Sequence, residues 1–370
     1  MKVLMVSKTG VVEAHHGKLR ELVRMGVELT LIMPPRWGRQ QTEVTAAREY
    51  KIRVTRCWFT PHNHFHFYAA GVGDIDADVV HLEEEPWSLV TFQFMRLCVK
   101  ARKPVVFTTW QNVRKNYPPP FNLFERYTFA HAHAAVAGIH EAKDVLRAKG
   151  FQKPVSVIPH GIDPERFRRR DVTLLRRELG LENAFIIAYV GRIVHTKGLS
   201  DLIRALTQLP SVCVLLMIGD GELRRELETL ASNIGVSSRV RWIPWLHSLK
   251  VPEYTNLLDV SVLPSRTQPG SKEQFGRVLI EAMACEKAVV GSTTGGIPEV
   301  IGDAGLVYPE GDVDALAAHL RCLCDNPNLR KSLGTKARLR VLERYTHKRV
   351  AEQTLESYQG VLSSQKLVYC

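Results

Sequence analysis

Several features are missing from this chain, and each absence removes a class of function. In 370 residues no apolar run reaches the roughly 20 residues that a membrane-spanning helix needs. The opening Met1-Lys2-Val3-Leu4-Met5-Val6 lacks the three-part order of a secretory leader and reads instead as a first buried strand. The seven cysteines, at 57, 98, 213, 285, 322, 324 and 370, are scattered and odd in number. They argue against a disulfide framework and for a reduced, cytoplasmic setting. Cys322-x-Cys324 has no second pair at zinc-finger spacing, so both are expected to be buried helix residues. No Gly-x-Gly-x-x-Gly follows the first strand and no Walker loop occurs, which excludes the dinucleotide fingerprint and the P-loop. Asp144, not histidine, stands four residues after His140-Glu141, so the zincin signature is absent too. No nucleic-acid-reading motif is present.

What is there describes a folded α/β protein. With 45% hydrophobic and 24% charged residues the chain has enough apolar surface to fold. Its length exceeds one ordinary core, so two domains are expected. Lysine and arginine (50) outnumber aspartate and glutamate (38), giving a formal charge of +12. Such a balance favours anionic partners, a nucleotide or a phospholipid surface. The basic segment 166–177, with Arg168-Arg169-Arg170, makes peripheral attachment to an anionic membrane a testable expectation. Apolar strand patterns at 2–6, 27–33, 53–59, 78–82, 104–109, 134–138 and 155–158 alternate with helical ones. A second set follows at 185–190, 212–218, 240–243, 260–263, 288–290 and 305–307. This alternation predicts parallel sheets. A last helix over about 350–362 needs an apolar partner.

One stretch, 273–299, concentrates the chemistry. Glu273 and Glu281 bracket seven residues that include Gln274-Phe275-Gly276. A helix over 276–286 is expected to bury Ile280, Met283 and Ala284, followed by a strand and the turn Gly295-Gly296-Ile297-Pro298. Free amides and the positive dipole end at a helix start suit an anion, and a carboxylate accepts hydrogen bonds from vicinal hydroxyls. The bland alternative is two solvated helix charges. Upstream, Gly191-Arg192-Ile193-Val194-His195-Thr196-Lys197-Gly198 places two cations in a strand-to-helix turn, fit for a diphosphate or simply solvated. Gly219-Asp220-Gly221-Glu222 is a second such turn, where the glycines serve either ligand approach or a tight bend. Glu83-Glu84-Glu85 reads evenly as acceptor contacts or as an acidic solvated loop. His62, His64 and His66 alternate with Phe65 and Phe67; the polar face of an edge strand is preferred there over a metal site.

Taken together these motifs resemble the retaining GT-B glycosyltransferases of family 4, the glycosyl transferases group 1. The resemblance is carried by Glu273 and Glu281, Leu263-Pro264-Ser265, Glu281-Ala282-Met283-Ala284 and Gly295-Gly296-Ile297-Pro298-Glu299. The turn from Gly191-Arg192 to Lys197-Gly198 and Pro159-His160-Gly161-Ile162-Asp163 add to it. It implies two Rossmann-like domains facing a cleft: 1–163 on the acceptor side, with 350–370 packing back on it, and 164–349 for the nucleotide sugar. It implies that Arg192 and Lys197 neutralise the diphosphate while Glu273 grips the sugar, these three forming the catalytic set. Donor contacts are implied for Gly10, Gly191, Gly219, Phe275, Gly276, Arg277 and Val278, with Glu281 on the ribose and Ile243 to Leu246 along the base. Acceptor-side residues would be Glu84, Glu85, Trp110, Gln111, Asn112 and His160. Neither metal nor cofactor is implied. Two departures matter: the first loop, Ser7-Lys8-Thr9-Gly10-Val11, has one glycine where many members have two, and Thr109-Trp110-Gln111-Asn112 stands where many carry a histidine. The implied activity is transfer of a hexose-type sugar from a nucleoside-diphosphate sugar to a hydroxyl of a glycan, lipid or small metabolite. The alternatives are a sugar-nucleotide epimerase of the same fold, which needs no acceptor, and a non-catalytic nucleotide-sugar-binding subunit.

Overall fold

A computed structural model describes residues 1–38, 40–42 and 49–368, with side chains as far as 364. Cys370, and the end of the expected returning segment, lie outside the described residues. The chain forms two units. One comprises Met1–Gly161 and the segment beginning at His347, the other Ile162–Thr346.

The first unit is built on seven parallel strands: β1 (Lys2–Val6), β2 (Glu28–Met33), β3 (Lys51–Val54), β4 (Val79–Leu82), β5 (Val105–Thr109), β6 (Ala134–Ala137) and β7 (Val155–Val157). Their order in space is β7-β6-β5-β4-β1-β2-β3. Strands β4 and β6 are buried at every position, as sheets covered on both faces require. One core layer joins Val3, Met5, Leu19, Leu22 and Leu31 to Val350, Ala351, Tyr358 and Val361 of the helix His347–Val368, so this helix belongs to the first unit. A buried polar link fixes it: His81 Nδ1 lies 2.6 Å from Tyr358 Oη, and its Nε2 2.8 Å from Thr108 Oγ1.

The second unit repeats the plan with six parallel strands: β8 (Phe185–Val190), β9 (Cys213–Ile218), β10 (Val240–Ile243), β11 (Val260–Leu263), β12 (Ala288–Ser292) and β13 (Leu306–Tyr308). The order is β10-β9-β8-β11-β12-β13. In both sheets the order reverses beside the first strand, between β1 and β4 and between β8 and β11. Loops leaving the carboxyl ends of those strands diverge there and open a crevice.

Four local expectations are corrected. The strand expected at 53–59 is two pieces, Lys51–Val54 and Cys57–Trp58, the latter antiparallel to Phe67–Tyr68; left-handed backbone at Phe59 (φ 57°) ends it. Residues 61–66 form turns, so His62, His64 and His66 do not share one face of a strand. Ser7-Lys8-Thr9-Gly10 reads in the sequence as a turn leading into a helix that runs to about Met25, but short 3-10 turns at Lys8–Val11 and Glu13–His15 precede the α-helix Gly17–Arg24. Finally, Cys322 is exposed and Cys324 half-buried. The buried stripe of the helix Val313–Asp325 runs through Leu316, Leu320 and Leu323 at helical spacing, and both cysteines flank it.

Candidate active site

In the second unit, three carboxyl-end loops are tied into one platform. The turn after β8 carries Lys197, whose ammonium pairs with the Glu273 carboxylate. Ser265 Oγ, in the loop after β11, donates to the same Glu273 oxygen at 2.8 Å. The Arg266 amide donates to the Thr196 carbonyl (2.9 Å), and its guanidinium grips Asp201 through two bonds of 2.6 Å. From the third loop the Gly296 amide donates to the Glu273 carbonyl (3.0 Å), while Ser292 Oγ donates to the Ser265 carbonyl (2.6 Å). Gly198 is left-handed (φ 59°), and a Cβ there would strike the Pro264 carbonyl. The Lys197 turn therefore lies directly on the Ser265 loop because position 198 has no side chain.

Glu281 sits on the helix Arg277–Ala284, which starts from left-handed Gly276 (φ 83°). A Cβ at Gly276 would come within 2.6 Å of Leu263 Cδ2. Phe275 is buried edge-on against Tyr345 at 5.7 Å, and Arg277 and Val278 are half-buried in the first turn. Burial raises the Glu281 pKa, against the opposing charges of Arg277 and Arg166. Ile280, Met283 and Ala284 are buried, as the periodicity predicts. Arg192 is exposed; its carbonyl accepts from Tyr189 Oη at 2.6 Å, which fixes the turn rather than the guanidinium. The glycines at 191 and 219 meet each other: a Cβ at Gly219 (φ 138°) would overlap the Gly191 carbonyl, so backbone packing accounts for that glycine. Ile243 and Leu246 pack half-buried on the core, leaving Trp245 between them 68% exposed.

In the first unit, the same position between β1 and β4 is filled by the protein's own charges. Lys8 pairs with Glu84, whose carboxylate also accepts the Lys8 amide at 3.0 Å and faces His66 at 3.5 Å. Lys18 pairs with Glu83. Burial pushes Glu83 up, but Lys18, His81 and hydrogen bonds from Lys18 and Ser7 outweigh it and hold the carboxyl at about 2. Glu85 accepts from Thr109 Oγ1 (2.6 Å) and from the Trp110 amide (2.8 Å), and burial leaves its pKa raised. The acidic loop is thus not solvated. Glu84, expected on the acceptor side, is buried on Lys8, because only an inward partner can compensate its charge. Trp110 stacks on His160, with ring centroids 3.8 Å apart, in space that Gly138 leaves clear. Asn112 donates to Glu141 (3.1 Å), and Gln111 to the Val113 carbonyl (3.0 Å). Gly10 is buried, and a Cβ there would lie 3.1 Å from Leu31 Cδ2, a tight contact that a small shift of the leucine would relieve. Among the described residues no cluster of three or more His, Cys, Asp or Glu has metal-site geometry, and no helix is long and apolar enough to cross a membrane.

Sequence reasoning missed Ser265 as part of the site, although it stands in the quoted Leu263-Pro264-Ser265 run directly after a strand. It also missed the Arg266–Asp201 clamp, for which a separation of 65 positions left no local signal.

Two parallel sheets of this strand order, each with its crevice at the carboxyl ends, define the GT-B class of glycosyltransferase folds. The glycosyl transferases group 1 model matches residues 171–340 and the glycosyltransferase family 4 model residues 10–166. The chain belongs to this family, the group 1 or family 4 glycosyltransferases. One relative is the N-acetyl-alpha-D-glucosaminyl L-malate synthase of Bacillus anthracis, 30% identical over 62% of this chain and 58% of that protein. Another, the alpha-maltose-1-phosphate synthase of Mycolicibacterium smegmatis, is 34% identical over 59% and 60%. The chain thus spans about three fifths of the length of these two relatives. Among solved structures, Anabaena HepE in complex with UDP superposes with a TM-score of 0.77 at 19% identity, over 97% of this chain and all of that one. A further structure of HepE is its complex with UDP-glucose, with a TM-score of 0.74.

Proposed function

We propose that this protein is a retaining, metal-independent glycosyltransferase that moves a hexose-type sugar from a nucleoside-diphosphate sugar to an acceptor hydroxyl. The observation that carries this reading is the cluster of Lys197, Glu273 and Ser265 at the strand-order reversal of the second sheet, with Glu281 eight positions beyond Glu273. The UDP and UDP-glucose complexes of HepE, a structure of like fold, support the donor class. The nucleoside diphosphate leaves as a polyanion, so the positive charges of Lys197, held on Glu273, and of exposed Arg192 favour the transition state over the ground state. Glu273 accepts hydrogen bonds from the donor sugar, and Glu281 from the ribose. On the acceptor side, Trp110, Gln111 and Asn112 include no base. A front-face route satisfies the balance: the bond from the anomeric carbon to the phosphate oxygen breaks, the bond to the acceptor oxygen forms on the same face, and the acceptor proton passes to the departing diphosphate. The six described cysteines are free, which supports a reduced, cytoplasmic setting.

The test is a panel of nucleoside-diphosphate sugars screened by thermal shift, then assayed for transfer and for slow hydrolysis with and without EDTA. We expect stabilisation by one diphosphate class, hydrolysis without acceptor, and no change with EDTA. Formation of an epimeric sugar nucleotide from donor alone would replace transfer by isomerisation. Full transfer by a Lys197→Ala variant would remove the site assignment.

A further inference from the structure

The stretch between β3 and β4 holds an unusual surface. Phe59 keeps a left-handed backbone (φ 57°), a conformation a bulky residue adopts only where its surroundings enforce it. Phe59 is 65% exposed and Phe65 42%, although burial is what residues with rings of this size ordinarily gain from folding. With Thr60, Pro61 and His62 they line a cavity of about 490 Å³. The polar side-chain groups in this lining are the Thr60 hydroxyl and the His62 ring; no carboxylate or amide side chain is among the five residues. A sugar ring needs hydrogen-bond partners around its edge, whereas a hydrocarbon chain needs only apolar walls.

Behind this lining the aromatics continue into the core, where Phe121 and Trp87 are buried. Phe65 meets Phe121 edge-on at 4.9 Å, Phe121 meets His64 at 5.2 Å, and His64 lies 4.4 Å from Trp87. Trp87 in turn lies 4.9 Å from Tyr117 and follows the Glu83-Glu84-Glu85 loop, at the carboxyl edge of the sheet where Glu85 holds the Trp110 amide. Two cations lie close to these aromatics. Arg56 lies 5.0 Å from the ring of Trp58, which stacks on Phe67, itself 6.0 Å from Phe59. Lys115 acts electrostatically on His64, which touches His62 of the lining at 5.6 Å.

We propose that this cavity takes the hydrocarbon part of an anionic amphiphile, with Lys115 and Arg56 facing its phosphate or carboxylate head, and that such an amphiphile is the acceptor class. The acceptor role rests on the transferase reading; the binding site does not.

The probe is dodecyl phosphate kept below its micelle concentration and titrated into the full chain by calorimetry, with inorganic phosphate and dodecyl maltoside in parallel. The expected result is saturable one-to-one binding of dodecyl phosphate and none of inorganic phosphate. The double variant Phe59→Ser/Phe65→Ser should weaken it by about tenfold or more, since two apolar contacts are lost. Lys115→Glu should weaken dodecyl phosphate several-fold and leave dodecyl maltoside unchanged. Equal binding by the wild type and the double serine variant overturns the proposal, as does binding of phosphate alone. Binding to phosphatidylglycerol vesicles without binding of the monomer also overturns it, in favour of surface attachment. The thermal shift produced by a nucleoside diphosphate is measured on the same samples. If that shift survives while amphiphile binding is missing, the cavity assignment fails and the transferase reading stands.

Discussion

Lys197→Met is the perturbation that separates what the Lys197–Glu273–Ser265 platform does for stability from what the proposed function asks of it in chemistry. The Lys197 and Glu273 side chains are 18% and 12% exposed. An exposed pair of this kind is worth about 0–1 kcal/mol, and breaking a fully buried one costs about 3–5 kcal/mol. At this degree of burial the loss should be about 2 kcal/mol, because Glu273 keeps the Ser265 hydroxyl but loses its cation. Adding Glu273→Gln removes the unneutralised charge and should restore about 1 kcal/mol. Transfer should not follow the stability. Either single variant, and the double, should lose about 10²–10³-fold in kcat/KM, the usual effect of removing one preorganised electrostatic contact from a transition state. Urea unfolding gives the stability, with hydrogen exchange of peptides from 185–218 confining the reading to the second unit; initial rates at varied donor give kcat/KM. A Lys197→Met protein as stable as the wild type would show the pair to be a surface ornament. A double variant that regains transfer along with stability would show the charges to be structural only.

Three further outcomes follow from single contacts. Burial and the nearby Lys18 lower the His81 pKa to about 3, against an opposing effect of Glu83, while the unfolded ring titrates near about 6.5. The unfolded state therefore binds more protons as pH falls below that value, so His81 contributes full stability above it and loses it on acidification. Between pH 7 and 5.5 the wild type should lose about 1 kcal/mol more than His81→Gln, by urea unfolding at each pH; parallel pH profiles would refute the buried neutral ring. Gly198→Ala adds left-handed strain of about 1–2 kcal/mol and drives a methyl into the Pro264 carbonyl. A total of about 2–4 kcal/mol is expected in the same assay, and an unchanged midpoint would mean the two loops do not need to touch. Glu281→Gln should raise KM for the donor by about tenfold, the loss expected for hydrogen bonds to a charged acceptor. It should also shrink the penalty for a 2′,3′-dideoxy donor; the same penalty in both proteins would take Glu281 off the ribose.

The sequence was most legible where local pattern and global fold agree. Apolar runs such as Phe185–Val190 and Cys213–Ile218 can only be strands buried on both faces, and they are. The Glu273–Glu281 spacing, with Phe275-Gly276 between, marked a loop and a helix start because Gly276 has to be left-handed. What stayed hidden depends on partners distant in sequence. Nothing near Glu84 reveals that Lys8, 76 residues earlier, draws it into the interior. Nor does the alternation of His62 to Phe67 disclose a turn, since a single positive φ at Phe59 overrides the two-residue period. Cys322 and Cys324 show the converse error: both are expected to be buried in their helix, but helical geometry turns Leu320 and Leu323 inward instead.

The two sheets share a strand order, yet their crevices have opposite chemistry, and this bears on how labour divides along the chain. In the first unit the position between β1 and β4 is occupied by Lys8 on Glu84 and Lys18 on Glu83, pairs whose charges are spent on each other. Gly10 in the same loop is walled in by Leu31 and Met33. An incoming diphosphate would have to compete with buried carboxylates for those lysines, and removing a cation from a buried carboxylate is costly. In the second unit the corresponding position offers exposed Arg192, and Lys197 bound to a carboxylate that still reaches solvent. There a phosphate oxygen can share the ammonium without leaving Glu273 bare, because Ser265 and sugar hydroxyls can take up its lone pairs. Strand order alone would predict two equivalent nucleotide sites. The distribution of paired and unpaired charge predicts one, in the second unit, and in the transferase reading proposed above this leaves the acceptor to the first.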